Sequence, residues 1–163
     1  MSLYDIFSNL CGKAPRIVQR KPDKRTGKVY QSISFKSLNI ESLNYYSELF
    51  YIYKNDGLQR KIKIVPGNIK ELLTPRALAY WIMDDGGINS YKATQLNTDS
   101  FTLEQIQLLQ QALLENFQLR TRLAEKRAGQ WIIVIPIKQP LPLSAIVGPY
   151  MHSSMRYKIK GLF

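Results

Sequence analysis

Leu78-Ala79-Tyr80-Trp81-Ile82-Met83-Asp84-Asp85-Gly86 is an apolar segment that ends in two carboxylates and a glycine. Thr74 stands where a helix cap would, and Pro75 occupies the first helical position, where its missing N–H costs nothing. The spacing predicts a helix over 75–85 that stops at Gly86-Gly87. Leu78, Ala79 and Ile82 fall on one stripe, and the small Ala79 would let the backbone of a second helix approach closely. This stripe is the expected helix–helix interface. Acids at a helix C-terminus oppose the macrodipole, which favours cations there. The pair therefore suggests a compensating divalent metal held by oxygen ligands; an exposed, solvated Asp-Asp-Gly-Gly turn is the alternative.

Outward from this segment the pattern alternates. Ile88 to Thr98 reads as a polar hairpin. Thr102, with Gln105 three residues on, forms a capping box for a helix whose apolar positions are Leu103, Ile106, Leu109, Leu113 and Phe117. Leu119 to Glu125 and Gln130 to Ile137 form a second hairpin around Lys126 to Gly129, and a short helix from Leu143 to Pro149 precedes the tail from Met151 to Phe163. From Pro75 onward the order is α-ββ-α-ββ-α. Upstream, Leu3 to Cys11 reads as a helix, Arg16 to Lys36 as a hairpin, and Asn39 to Tyr53 as a second helix. A loop (Lys54 to Gly57) and a basic connector (Arg60 to Pro66) complete the front. That front is the same order with its leading α-ββ removed.

The chain carries 23 Lys and Arg against 12 Asp and Glu, a net charge of +11. A surplus of that size points to a phosphate-rich partner. Hydrophobic residues at 45% and charged residues at 21% fit a folded chain. No apolar run is long enough to cross a bilayer and no helix pairs a basic face with a wide apolar one, so no membrane partner is expected. The N-terminus shows neither a secretory core nor a transit signal. The single Cys11 leaves no internal disulfide or cysteine-rich metal site. Arg16, Arg20, Lys21, Lys24, Arg25, Lys28 and Lys36 crowd the first hairpin; Arg120, Arg122, Lys126 and Arg127 cluster on the last. A β-ribbon can enter a major groove, so these side chains are expected on phosphates. Tyr30, Gln31, Ser32, Asn89, Ser90, Gln95 and Asn97 are candidate base readers; an ordinary solvated hairpin face is the alternative for each.

The segment from Leu73 to Gly87 resembles the second motif of the two-motif LAGLIDADG homing endonucleases. The resemblance extends to Lys63-Ile64-Val65-Pro66, to Leu96-Asn97-Thr98-Asp99-Ser100-Phe101 and to Met155-Arg156-Tyr157-Lys158, in the family's order. It implies an α+β fold with antiparallel sheets forming a saddle over nucleic acid, and a complete half at 71–163. Residues 1–70 would be an incomplete N-terminal half made of helix, basic hairpin, helix and basic connector. By motif position Asp85 is the implied catalytic and metal-binding residue, with Asp84 in a structural place. Lys63 and Lys158 are the implied active-site lysines. Mg²⁺, or another divalent cation, is the implied cofactor, double-stranded DNA the implied partner and an organelle (mitochondrion or chloroplast) the implied setting.

Two such helices, each delivering an Asp, make the family's site, and this sequence holds one. A polypeptide supplying the first helix and hairpin is therefore expected, or a second copy pairing through Leu78 to Asp85. The rival expectation is a catalytically inactive scaffold that binds structured RNA, such as an intron maturase or a ribonucleoprotein component. A purely structural interaction module would leave the basic surplus idle.

Overall fold

The front of the chain is a short helix and a hairpin. The computed structural model describes residues 3–54 and 60–159. The chain divides into two compact units, Met1–Tyr45 and Tyr46–Phe163. In the first, α1 (Leu3–Phe7) runs into a 3-10 turn at Ser8–Leu10, so the helix tightens before its expected end at Cys11. Strands β1 (Arg16–Gln19) and β2 (Gln31–Ser34) pair antiparallel, with Ile17 opposite Ile33. The Tyr4 and Phe35 rings meet edge-on at 5.6 Å, and the Leu38 N–H donates to the Leu10 carbonyl at 2.7 Å. None of the described residues of this unit is buried; Ile17 and Ile33 are each 71% exposed.

A 3-10 turn at Glu41–Leu43 leads into α2 (Asn44–Phe50), which spans the division between the units. Here the structure corrects the sequence reading. The helix ends at Phe50, and Tyr51–Lys54 is strand β3, paired antiparallel with β4 (Arg60–Lys63), the expected connector. Aromatic and β-branched Tyr51-Ile52-Tyr53 prefer a pleated surface, and the alternating Arg60-Lys61-Ile62-Lys63 gives them a partner. Asn55 to Gly57 of the expected loop lie outside the described residues. A short α3 (Ile69–Leu72), also unanticipated, follows.

From Pro75 the expected order holds: α4 (Pro75–Asp85), β5 (Gly86–Ile88), β6 (Thr94–Asn97), α5 (Leu103–Phe117), β7 (Arg122–Arg127), β8 (Gln130–Ile135) and α6 (Leu143–Val147). The four strands make one antiparallel sheet in the order β5-β6-β8-β7. Thr74 accepts from the Ala77 N–H at 3.2 Å, and the Thr102–Gln105 capping box is present in both directions. Leu96, Ile106, Leu113, Ile133, Leu143 and Val147 are buried in the core, with Leu78, Ala79 and Ile82 of α4. Leu103, expected on the apolar stripe of α5, stays 41% exposed in its first turn. Two 3-10 segments, Gly148–Tyr150 and Ser153–Ile159, close the described chain.

The division by contacts falls earlier than the family halves expected at 1–70 and 71–163. The β3–β4 hairpin, α3 and the basic connector all belong with the motif helix.

Candidate functional site

The α4 helix delivers Asp84 and Asp85, both exposed, to the wall of a cavity of 520 Å³. Lys63, at the end of β4, lies on the same wall, with Asp99, Phe101 and Lys126. The Lys63 ammonium stands 6.0 Å from the centre of the Phe101 ring. Asp85 and Lys63 are thus brought together although 22 positions separate them in the sequence.

Lys158 is placed differently. It is 9% exposed and donates to the carbonyl oxygens of Met83, at 2.6 Å, and Asp84, at 3.4 Å. Its ammonium caps the C-terminus of α4 and sits where the macrodipole favours a cation. It is not on the cavity wall. The helix C-terminus thus receives a cation from within the chain, on its carbonyls and not on the two carboxylates. Asn97, considered as a base reader, is committed too: its Nδ2 donates to the Asp85 carbonyl at 2.7 Å. Asn89 is likewise spent on its own turn, its Oδ1 accepting from the N–H groups of Tyr91 and Ala93.

Leu78, Ala79 and Ile82, expected at an interface with a second helix, are each wholly buried in this chain's own core. The helix packs against β5, β6, α6 and the closing 3-10 segments of its own chain. Ala77 and Trp81 pack half-buried against that core, Tyr80 is half-buried, and Asp84 is exposed.

Asp99 was not legible as a site residue. It accepts an ion pair from Lys126 at 3.1 Å, while its other oxygen, Oδ1, is buried and has no partner among the described residues. Lys126, expected on phosphate, is thereby turned toward the cavity. The sequence signal is an acid between the end of β6 at Asn97 and the Thr102 cap, a position that packing has no need to make charged. Arg120, Arg122 and Arg127 are exposed on the β7–β8 side, as are Arg16, Arg20, Lys21, Lys24, Arg25, Lys28 and Lys36 around the first hairpin. Arg20 reaches across to Ser32, donating from Nε at 3.2 Å.

Among the described residues no three acidic, histidine or cysteine side chains stand close enough to hold a metal ion alone. Mg²⁺ commonly takes one or two carboxylates and fills its remaining positions with water and substrate phosphate. The hard oxygen donors of Asp84 and Asp85 at an open wall fit that requirement.

A profile of the LAGLIDADG DNA endonuclease family matches residues 1–140. The chain belongs to the LAGLIDADG DNA endonuclease family. It is 32% identical over 165 residues to the DNA endonuclease I-ChuI of Chlamydomonas applanata, covering 96% of this chain and 75% of that one. It is 31% identical to the cytochrome b mRNA maturase bI2 of Saccharomyces cerevisiae, covering 96% of this chain and 37% of the maturase. The intron-encoded endonuclease ai4 of Dictyostelium discoideum is 35% identical, over 81% of this chain and 79% of its own length. The fold matches the homing endonuclease I-WcaI bound to its DNA recognition sequence, with a TM-score of 0.78 at 24% identity, over 96% of this chain and 68% of that one. Among the described residues no helix is long and apolar enough to cross a membrane.

Proposed function

We propose that the chain is one complete half and part of the other half of a homing endonuclease that cuts double-stranded DNA, with Asp85 and Lys63 in its site. The observation that carries this reading is the shared cavity: a carboxylate at the end of the motif helix and a lysine from β4 face the same space. Asp85 would hold Mg²⁺, with Asp84 beside it. The bound cation would supply Lewis acidity toward the scissile phosphate. Lys63, whose ammonium touches no acid among the described residues, would stabilise negative charge developing on the phosphoryl oxygens. Lys158 keeps the end of the helix wound and so fixes where the Asp85 side chain begins. Asn97 does the same from β6.

The front unit supports the need for a complement. Its hairpin leaves Ile17 and Ile33 open, and β1 and β2 pair only with each other among the described strands. Open edges and uncovered apolar faces invite a partner strand. A further helix and hairpin, on this polypeptide or on another, would cover them and bring the second acidic helix. A second copy pairing along α4 is the other way to supply it. The organellar setting implied by the family resemblance belongs to this proposal.

The test is cleavage of intronless target DNA in Mg²⁺ by the chain together with its complement. Asp85→Asn should remove cleavage while leaving DNA binding in place. Equal cutting by the variant would overturn the proposal. The identity to an mRNA maturase over 96% of the chain favours a second reading, an RNA-binding scaffold without cleavage. Tighter binding to a structured intron RNA than to duplex DNA at equal salt, with no cut in Mg²⁺, would select it.

A further inference from the structure

The β3–β4 hairpin holds a surface that the site residues do not account for. Its ladder pairs Tyr51 with Lys63, Ile52 with Ile62, Tyr53 with Lys61 and Lys54 with Arg60. Partners across a ladder share a face, so one face carries Tyr51, Tyr53, Lys61 and Lys63, and the other Ile52, Ile62, Lys54 and Arg60. The eight strand residues include four cations and no acid.

The tyrosine–lysine face is organised. The Lys61 ammonium stands 4.4 Å from the centre of the Tyr51 ring and 6.0 Å from that of Tyr53, and donates to Ser47 Oγ at 2.7 Å. Ring quadrupoles attract the cation and fix its position without neutralising it. An ammonium has three donors, so bonds beyond the one to Ser47 are available to an anion. Tyr53 is 68% exposed. Lys63, two residues further along the same strand face, lines the cavity with Asp84 and Asp85. Same-face residues of a strand lie about 7 Å apart, so Lys61 follows the cavity residue Lys63 on the same face at about that spacing.

We propose that this face is a backbone-tracking surface: Lys61, set over the Tyr51 and Tyr53 rings, contacts the phosphates of the DNA strand whose scissile bond lies in the cavity. The inference rests on the function proposed above and adds a contact that lies on neither the motif helix nor the basic hairpins. A duplex strand carries one phosphate per roughly 3.4 Å of helix axis, so Lys63 and Lys61 would span about two successive phosphates. The tyrosine rings would pack against the sugars between them.

Equilibrium binding tests it without any need for cleavage. A fluorescein-labelled DNA duplex of arbitrary sequence, about 30 base pairs long, is titrated with the full chain in the absence of Mg²⁺, between about 50 and 200 mM salt. Lys61→Ala should lower the slope of log affinity against log salt by about 0.9, the value for one phosphate that the protein no longer neutralises. Lys61→Arg should restore it. Lys54→Ala, on the same ribbon but the opposite face, should leave the slope at its wild-type value, which separates a local contact from a change in net charge. A wild-type slope in Lys61→Ala, or an equal drop in Lys54→Ala, overturns the surface while leaving the proposed function standing. Wild-type protein that fails to bind the duplex overturns the surface, and wild-type protein that prefers an RNA stem-loop of the same length at equal salt overturns both.

Discussion

A Cβ on Gly86 would lie 2.5 Å from the Ile82 carbonyl oxygen and 2.8 Å from its Cα. The exit from the motif helix needs glycine because of that close approach and not because of its dihedral angle, which is an ordinary φ of −78°. Gly86→Ala should therefore unwind the last turn and move Asp85. The expected loss is about 1–3 kcal/mol in urea unfolding, together with loss of cleavage; wild-type stability would show that the turn has room to spare. Lys158 works at the same place. Its removal leaves the Met83 and Asp84 carbonyls without their ammonium, and Lys158→Met should cost about 1–3 kcal/mol. An unchanged urea midpoint would contradict the capping role. Asp85 and Lys63 were legible as candidates because motif position marks them. The engagement of Lys158 was not, since a lysine in a tail looks like any solvated lysine until the tertiary fold brings it back. Asp99 was hidden for a related reason: one acid in a polar loop carries no periodicity.

Elements with their own start and stop signals were legible, and those that depend on a distant partner were not. The Thr102 capping box and the Thr74-Pro75 start are local, and both α5 and α4 begin where they predict. Thr102→Ala should destabilise the second unit by about 1 kcal/mol, measured by thermal or urea unfolding. Strand β3 was missed because the helical spacing of Leu43, Tyr46, Leu49 and Phe50 runs on into Tyr51-Ile52-Tyr53, and only the β4 partner decides between the two. The first hairpin has a pH-sensitive turn. The backbone N–H groups of Arg25 and Thr26 donate to Asp23 and hold its carboxyl below the usual range. A lowered folded pKa stabilises the turn above the ordinary carboxylate value, and that contribution is lost as pH falls through the folded one. Protection of the Arg25 and Thr26 amides, taken relative to the intrinsic exchange rate at each pH, should therefore fall as pH drops below the ordinary carboxylate range, and Asp23→Ala should lack that protection at every pH. An acid-insensitive turn in the native chain would contradict this.

At the scale of the molecule the two units differ in what holds them. The second has a continuous apolar core, whereas none of the described residues of the first is buried. Backbone protection follows buried contacts. Hydrogen exchange should therefore find Leu96, Leu113 and Ile133 slow and the β1–β2 ladder fast, with the ladder slowing once its complement is bound. Equal protection in the two units would show that the front needs no cover. The charge surplus points to a polyanionic partner, and the motif marks the family. The proposed function requires a shared site, with this chain supplying one acidic helix and a complement the other. Native mass spectrometry of the gently purified protein tests it most directly. The expected result is a complex in which the chain is bound to a segment bearing a second acidic motif helix, or to a second copy of itself, with DNA-binding activity in that species. A stable, lone 18.9 kDa chain that cuts target DNA by itself would contradict it.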